Sequence, residues 1–490
     1  MAKRKREAAA TPAEHASSPS PAPQAPPPVH LQIVTGSYER VLHGITATIS
    51  REAFQPSTSD PAPVQFADSF LFNAHASAIR CLALSPAAAD SSKPQNVILA
   101  SGGTDERINL YTLSASTTGT DTRLPSVPTL AGATILENPR NRELGSLLHH
   151  SSSITALHFP TRSKLLAAAE DNTISVTRIR DLSVVSTIKA PRPKAVGRPS
   201  GDTAPVGAAP AGVNDFAVHP SMKLMLSVGK GEKCMRLWNL VTGKKAGVLN
   251  FGRDVLEMVK EGKWSSGEGR KIVWNSAGEE FAISFDRGAI VFGIDSVPKC
   301  YVLPSPQSKI HQIRYVLVGN LGYGAPNEVL AISTEDGRVI FYSTDTPIVD
   351  QTSSKSSVPP AQLWRELGSK SNDQPSRIKD FEFLTVDGHS QAFVVTAGSD
   401  GVVKVWAMEQ NSVTSQKGSK KKQQKAQLVD NSAPRNIGRL LGAYETGNRI
   451  TCLKAFVMAA TETDQIDDEF SGLSSDEQAD STSSGDDSGS

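Results

Sequence analysis

Long apolar runs are missing from this chain. Nothing in its 490 residues approaches 18 consecutive apolar positions, so no membrane-spanning helix is expected. Cysteine is scarce. Cys81, Cys234, Cys300 and Cys452 lie far apart, with no Cys-x-x-Cys pair and no Cys/His cluster at zinc spacing. That favours buried free thiols in a reducing compartment, a disulfide between distant positions being the alternative. The first residues, MAKRKREAAATPAEH, are basic but lack an apolar stretch behind them, so they do not read as a secretory signal. Catalytic signatures are also lacking. There is no Gly-x-Ser-x-Gly elbow, and VGKGEK (228–233) lacks the Gly-x-x-x-x-Gly-Lys-Ser/Thr spacing of a phosphate loop. No nucleophile–base–orienter set can be assembled from the spacing, so neither an enzyme, nor a cofactor, nor a small-molecule substrate is expected.

Basic side chains are absent from residues 461–490, which hold ten acidic ones. Residues 1–30 carry +2, which leaves +9 for residues 31–460 out of an overall +1. A mildly basic body with an acidic tail suits polyanionic surroundings or basic partners, or serves solubility alone. Residues 1–29 are rich in Pro, Ala and Ser, and both 1–29 and 461–490 are expected to be disordered.

Helical periodicity is scarce between the tails. Short apolar runs alternate with Gly, Asp, Asn and Ser, an all-β pattern. One phrase recurs: LASGGTDERINLYTL (99–113), LAAAEDNTISVTRI (166–179), MLSVGKGEKCMRLWNL (225–240), AISFDRGAIVFGI (282–294), LAISTEDGRVIFYS (330–343) and VVTAGSDGVVKVWAM (394–408). Each is a run ending in small residues, a tight turn and a second run, which together make a hairpin. A leading strand precedes each, as in SAIRCLALSP (77–86) or SRIKDFEFL (376–384), and a seventh leading strand, NRITCLKAFV (448–457), has no hairpin after it. The missing hairpin lies at the other end, in QIVTGSYERVLHGITATI (32–49), with VQFADSFLF (64–72) as its outer strand. The expectation is a seven-bladed β-propeller over residues 30–460 whose last blade joins three N-terminal strands to one C-terminal strand. Seven blades at about 44 residues need roughly 310 positions. The remainder is assigned to loops at 114–129, 190–212, 252–269, 344–362 and 409–434.

Asp105, Asp171, Asp286, Asp336 and Asp400 recur in the hairpin turns, and His75 and His150 sit four residues ahead of the leading strand's first Ile. One carboxylate per blade places the five far apart around a ring. Each is therefore read as accepting turn N–H or imidazole hydrogen bonds in its own blade. His149 and His150 are read as strand neighbours pointing to opposite faces, which argues against a shared ligand site. Lys3, Arg4, Lys5, Arg6 and Lys420, Lys421, Lys422 are candidates for nuclear import or RNA-phosphate contact. Ser474 or Ser475, in an acidic run, would suit an acid-directed kinase.

The hairpin phrases resemble the WD40 repeat, with LWNL (237–240) and VWAM (405–408) as the closest endings. GSYERVLHGI (36–45), LLHHSSSITALHF (147–159), AAEDNTISV (168–176) and HPSMKLMLSVGKGEKCMRLWNLVTGKKA (219–246) narrow this further. They resemble the WD40 family of the maintenance-of-killer type, whose animal members are known as inhibitors interacting with p21-activated kinase. The resemblance runs over about 31–457. It implies a nucleolar, non-enzymatic factor in assembly of the large (60S) ribosomal subunit. Its partners would be pre-60S assembly factors, ribosomal proteins and pre-rRNA, with the chain monomeric inside a large complex. In the animal members it also implies binding and inhibition of a p21-activated kinase. The matched stretches read as framework. Both tails and several loops are longer than the family core, and the third hairpin has Lys230-Gly231-Glu232 in place of the Asp turn.

Overall fold

In a computed structural model, the residues described are 28–50, 64–86, 96–117, 127–128, 134–135, 138, 140–192, 212–262, 265–318, 327–345, 358–368, 376–386, 392–408 and 438–459. Their strands form seven antiparallel sheets, each with a four-stranded meander, arranged as a propeller. The strands of a blade are lettered a to d from the axis outward. Blade 1 comprises Ile79–Leu84, Val97–Gly103, Ile108–Leu113 and Arg142–Leu147; blade 2, Ile154–Thr161, Lys164–Ala169, Thr173–Arg178 and Ser183–Lys189; blade 3, Val213–Val218, Leu224–Gly229, Cys234–Asn239 and Lys244–Asn250. Blades 4, 5 and 6 begin at Lys271, Ile310 and Ile378 and follow the same order.

Blade 7 takes strand a from Ile450–Met458 and strands b, c and d from Val29–Ser37, Val41–Ile49 and Val64–Asn73. The two ends of the chain pair directly: His30 lies opposite Met458, Gln32 opposite Phe456 and Gly36 opposite Cys452. The ring is thus closed by main-chain hydrogen bonds, as the count of leading strands and hairpins predicts.

Why such strands form is evident from their burial. A blade is covered on both faces by its neighbours, so its second strand reads as a continuous small-apolar run rather than an alternation. Ala392–Gly398 is buried at every position. The core is correspondingly divided into seven clusters, one at each blade interface. Trp238 closes one of them. It is 3% exposed, packs with Ala168 and Ile174 of blade 2, and donates its indole N–H to Ser227 Oγ at 2.8 Å.

Two connections differ from the loops expected. Within 252–269 a short helix, Arg253–Met258, tucks Leu256 and Val259 against the blade 3–blade 4 core. Apolar residues at 255, 256 and 259 carry that helical spacing, which is too brief to register in a longer window. Between strands c and d of blade 1, Val127–Pro128 and Thr134–Ile135 run back to blade 7, where Ile135 pairs with Asp68 in parallel and extends that sheet to six strands.

The meander fixes what lies at each end of the disc. All b–c turns and d–a connections fall on one end, here the turn face. All a–b and c–d connections fall on the other. Strand b of blade 7 starts at that second end and its strand a finishes there, so both termini leave from it; it is called the terminal face.

Candidate interaction surfaces of the propeller

On the turn face the acids of the hairpins lie in the b–c turns. The residue after the acid takes a left-handed backbone in four of them, at Glu106, Asn172, Gly337 and Gly401. This is the conformation that favours Gly or Asn. Asp105 accepts from the Ala76 N–H at 2.9 Å and faces His75 Nδ1 at 2.9 Å, and His75 Nε2 reaches Ser101 Oγ at 2.8 Å. In blade 2, Asp171 faces His150 Nδ1 at 3.2 Å and accepts from the Thr173 N–H at 2.8 Å. Burial opposes ionisation of Asp171, but hydrogen bonds from His150 and Thr173 overcome it and hold the carboxyl well below the usual range.

The remaining turns use other partners. Asp336 pairs with Arg338, whose side chain is 6% exposed and also reaches Glu366. In the third hairpin Glu232 ion-pairs with Arg236 of strand c. Asp286 lies 2.6 Å from Arg270 Nε and 3.5 Å from Lys309 Nζ, bridging blades 4 and 5. Asp400 accepts from the Val402 N–H at 3.1 Å.

One reading made from spacing needs correction. His149 and His150 do not lie on a strand but in the connection entering blade 2, so strand alternation does not separate them. Their ring centroids are 4.4 Å apart, and both Nε2 atoms converge on Ser175 Oγ, at 2.7 and 2.8 Å. One hydroxyl has one proton for two imidazole nitrogens. With His150 Nδ1–H directed at Asp171, the consistent allocation has Ser175 O–H donating to His150 and accepting from His149 Nε2–H. Burial and the adjacent His150 push the His149 pKa down to about 4, Asp171 offsetting them only in part, which keeps that ring neutral at pH 7.

The connectivity of two of these networks is not visible in the spacing. Asp105–His75–Ser101 and Asp171–His150–Ser175 have the connectivity of an orienter, base and nucleophile. Pairing between strands, not spacing along the chain, brings the serine to the histidine some 25 positions away. Both serines are 0% exposed, so neither Oγ can meet an acyl substrate. The networks instead tie the start of a blade to its central hairpin.

A charge network that no motif announces lines the axis. In the a strands of blades 5, 6 and 7, equivalent positions hold Arg314, Glu382 and Lys454. Arg314 lies 3.0 Å from Asp380 and 3.2 Å from Glu382, and Lys454 lies 2.5 Å from Glu382. Asp380 also accepts from the Leu453 N–H of the C-terminal strand at 3.1 Å. Burial alone would raise the Asp380 pKa, but Arg314 and Lys454 lower it below the usual value. Asp215 of blade 3 is raised by burial, since its cation, Lys271, stays 3.9 Å away. A charged residue at one register of successive apolar leading strands (QIRYV, KDFEF, TCLKAF) was the available signal.

Among the described residues no cluster of three or more His, Cys, Asp or Glu has a metal-holding arrangement, and no helix is long and apolar enough to cross a membrane. Lys3, Arg4, Lys5, Arg6, Lys420, Lys421, Lys422, Ser474 and Ser475 lie outside the described residues.

Comparison with known proteins agrees with this architecture. Residues 141–177, which include the His150–Asp171–Ser175 network, match the "WD domain, G-beta repeat" family. The chain is similar to a "p21-activated protein kinase-interacting protein 1-like" of Gallus gallus, 23% identical over 88% of this chain and 82% of that protein. It is similar to "Protein MAK11" of Saccharomyces cerevisiae, 26% identical over 77% of this chain and 78% of that protein. "Shk1 kinase-binding protein 15" of Schizosaccharomyces pombe is 25% identical over 90% of this chain and 88% of that protein. The closed ring of seven WD40-type blades is similar over most of its length to these maintenance-of-killer and p21-activated-kinase-interacting proteins.

Proposed function

We propose that this chain is a non-enzymatic docking scaffold in assembly of the large (60S) ribosomal subunit, acting in the nucleolus on pre-60S particles. The observation that carries the scaffold reading is ring closure: terminal strands pair along their whole length, so the connections on both faces are held on a rigid frame. A preorganised frame lowers the ordering cost of multivalent docking. The two buried aspartate–histidine–serine networks support this reading, since each ties a blade's start to its central hairpin. The ribosomal assignment rests on the resemblance to the maintenance-of-killer type, to which the similarity with Protein MAK11 lends support. Its partners are taken to be assembly factors, ribosomal proteins and pre-rRNA.

A second reading is favoured by the relatives themselves, two of which are named as kinase-interacting or kinase-binding proteins. On that reading the disc binds and restrains a p21-activated kinase. The deciding experiment is affinity purification of tagged chain with crosslinking mass spectrometry, together with sedimentation and depletion. The expected result is co-sedimentation with large-subunit precursors, nucleolar fluorescence and accumulation of unprocessed precursor rRNA on depletion. Normal precursor rRNA after depletion, with inhibition of purified kinase by purified chain, would replace the scaffold reading with the kinase one.

A further inference from the structure

The terminal face of blades 2 and 3 is strongly and asymmetrically charged. Four turns reach it: 161–164 and 178–183 from blade 2, and 219–223 and 239–245 from blade 3. They hold seven Lys/Arg and a single acid, Asp181. Lys164, Arg178, Arg180, Lys223, Lys244 and Lys245 are all exposed, and of these only Arg178 has an ion-pair partner among the described residues, Asp181 at 3.1 Å. The corresponding turns of blade 4 hold one cation, Lys299, paired with Glu280 at 2.7 Å, and carry Glu279 and Asp295, so the positive patch ends there. Local geometry presents the cations outward. Asn239 Oδ1 accepts the Val241 and Thr242 N–H groups, and Gly243 takes φ +67°, which turns the chain so that Lys244 and Lys245 begin the outer strand in solvent. LVTGKKA, which reads as framework in the sequence, is here an exposed tip.

We propose that this edge of the disc is an RNA-docking surface that holds the sugar-phosphate backbone of a structured RNA. The inference rests on the ribosome-assembly reading and assigns its RNA contact to a face. Three observations favour RNA over an acidic protein. Four of the six exposed cations are lysines, which the cores of protein–protein interfaces deplete but which serve well as point charges toward phosphate. The four turns contain no Phe, Tyr or Trp, and their one imidazole, His219, packs against Trp274, as suits backbone contact rather than base stacking. From the a–b turn to the c–d turn a blade measures about 14 Å at about 4.8 Å per strand, so two adjoining blades span several phosphates.

The test uses the full chain and a hairpin duplex of ribosomal RNA sequence, with binding followed by fluorescence anisotropy between about 50 and 200 mM salt. The variant Lys164→Ala/Arg180→Ala/Lys244→Ala/Lys245→Ala is expected to bind more than tenfold more weakly and to lower the salt slope by about 3. Its melting temperature should be unchanged, because all four side chains are exposed. Arg107→Ala/Arg287→Ala, exposed on the turn face, should bind within twofold of the parent. The assignment is overturned if the quadruple variant also stays within twofold, if the turn-face variant loses as much, or if polyglutamate binds the patch as tightly as RNA. Co-sedimentation of the unaltered chain with large-subunit precursors is scored separately. Its failure removes the ribosomal reading, while RNA binding lost in the quadruple variant alone still marks this edge.

Discussion

At the scale of single residues, burial sets the titration of several imidazoles. His149 is held below its ordinary pKa by burial and by His150, and His311 by burial and by Lys379, each to about 4. For such a group the unfolded chain binds more protons between pH 6.5 and 4. Stability is therefore full above pH 6.5 and is lost progressively as pH falls toward 4. Asp171, depressed in the folded state, adds a further loss only below the usual carboxylate range. The urea midpoint should fall between pH 7 and pH 5, and His149→Gln should flatten that dependence; a variant with the parent's pH profile would show that His149 does not contribute. The acid in each turn was readable from sequence because Asp favours turns. Arg236 and Arg338 lie four and two positions from their carboxylates, whereas Lys309 reaches Asp286 only by blade packing, which no spacing marks.

At the scale of elements, two contacts explain why the small and charged residues stand where they do. A Cβ on Gly102 would come 2.7 Å from Ile154 Cγ2, and one on Gly36 would come 2.7 Å from Ile79 Cγ2. The small residues ending strand b thus admit the first Ile of the next blade. Gly102→Ala should cost about 1–3 kcal/mol by overpacking. Combined with Ile154→Ala it should cost less than the sum of the two, and strict additivity in denaturation would refute the contact. Asp380 holds Arg314 of blade 5 and the Leu453 N–H of blade 7 with one carboxylate. Asp380→Asn leaves Arg314 short of its partner in a buried network, so a loss of about 3 kcal/mol is expected by calorimetry. The hairpins were legible because turn residues and apolar runs are local signals. The axial network was not, because Arg314 and Lys454 lie 66 and 72 positions from Asp380 and Glu382 and meet them only when the inner strands converge.

At the scale of the whole molecule, closure decides whether seven blades make a disc. Removing residues 449–490 deletes the inner strand of blade 7, exposes strand Val29–Ser37 and opens both interfaces beside it. Cooperative unfolding should be lost. Removing 460–490 leaves every described strand intact and should shift the melting temperature by no more than a degree or two. Calorimetry of the two truncations tests closure directly; cooperative melting of the shorter chain would refute it. The sequence alone determined the number of blades, their order and the circular pairing of the chain ends, because each blade is a local meander that repeats its own pattern. Tertiary structure alone decided which charges meet at the axis, that His149 and His150 converge on one serine, and that the cations of blades 2 and 3 share one exposed edge. Those relations depend on which end of a strand faces which end of its neighbour, a property of the closed ring and not of any segment within it.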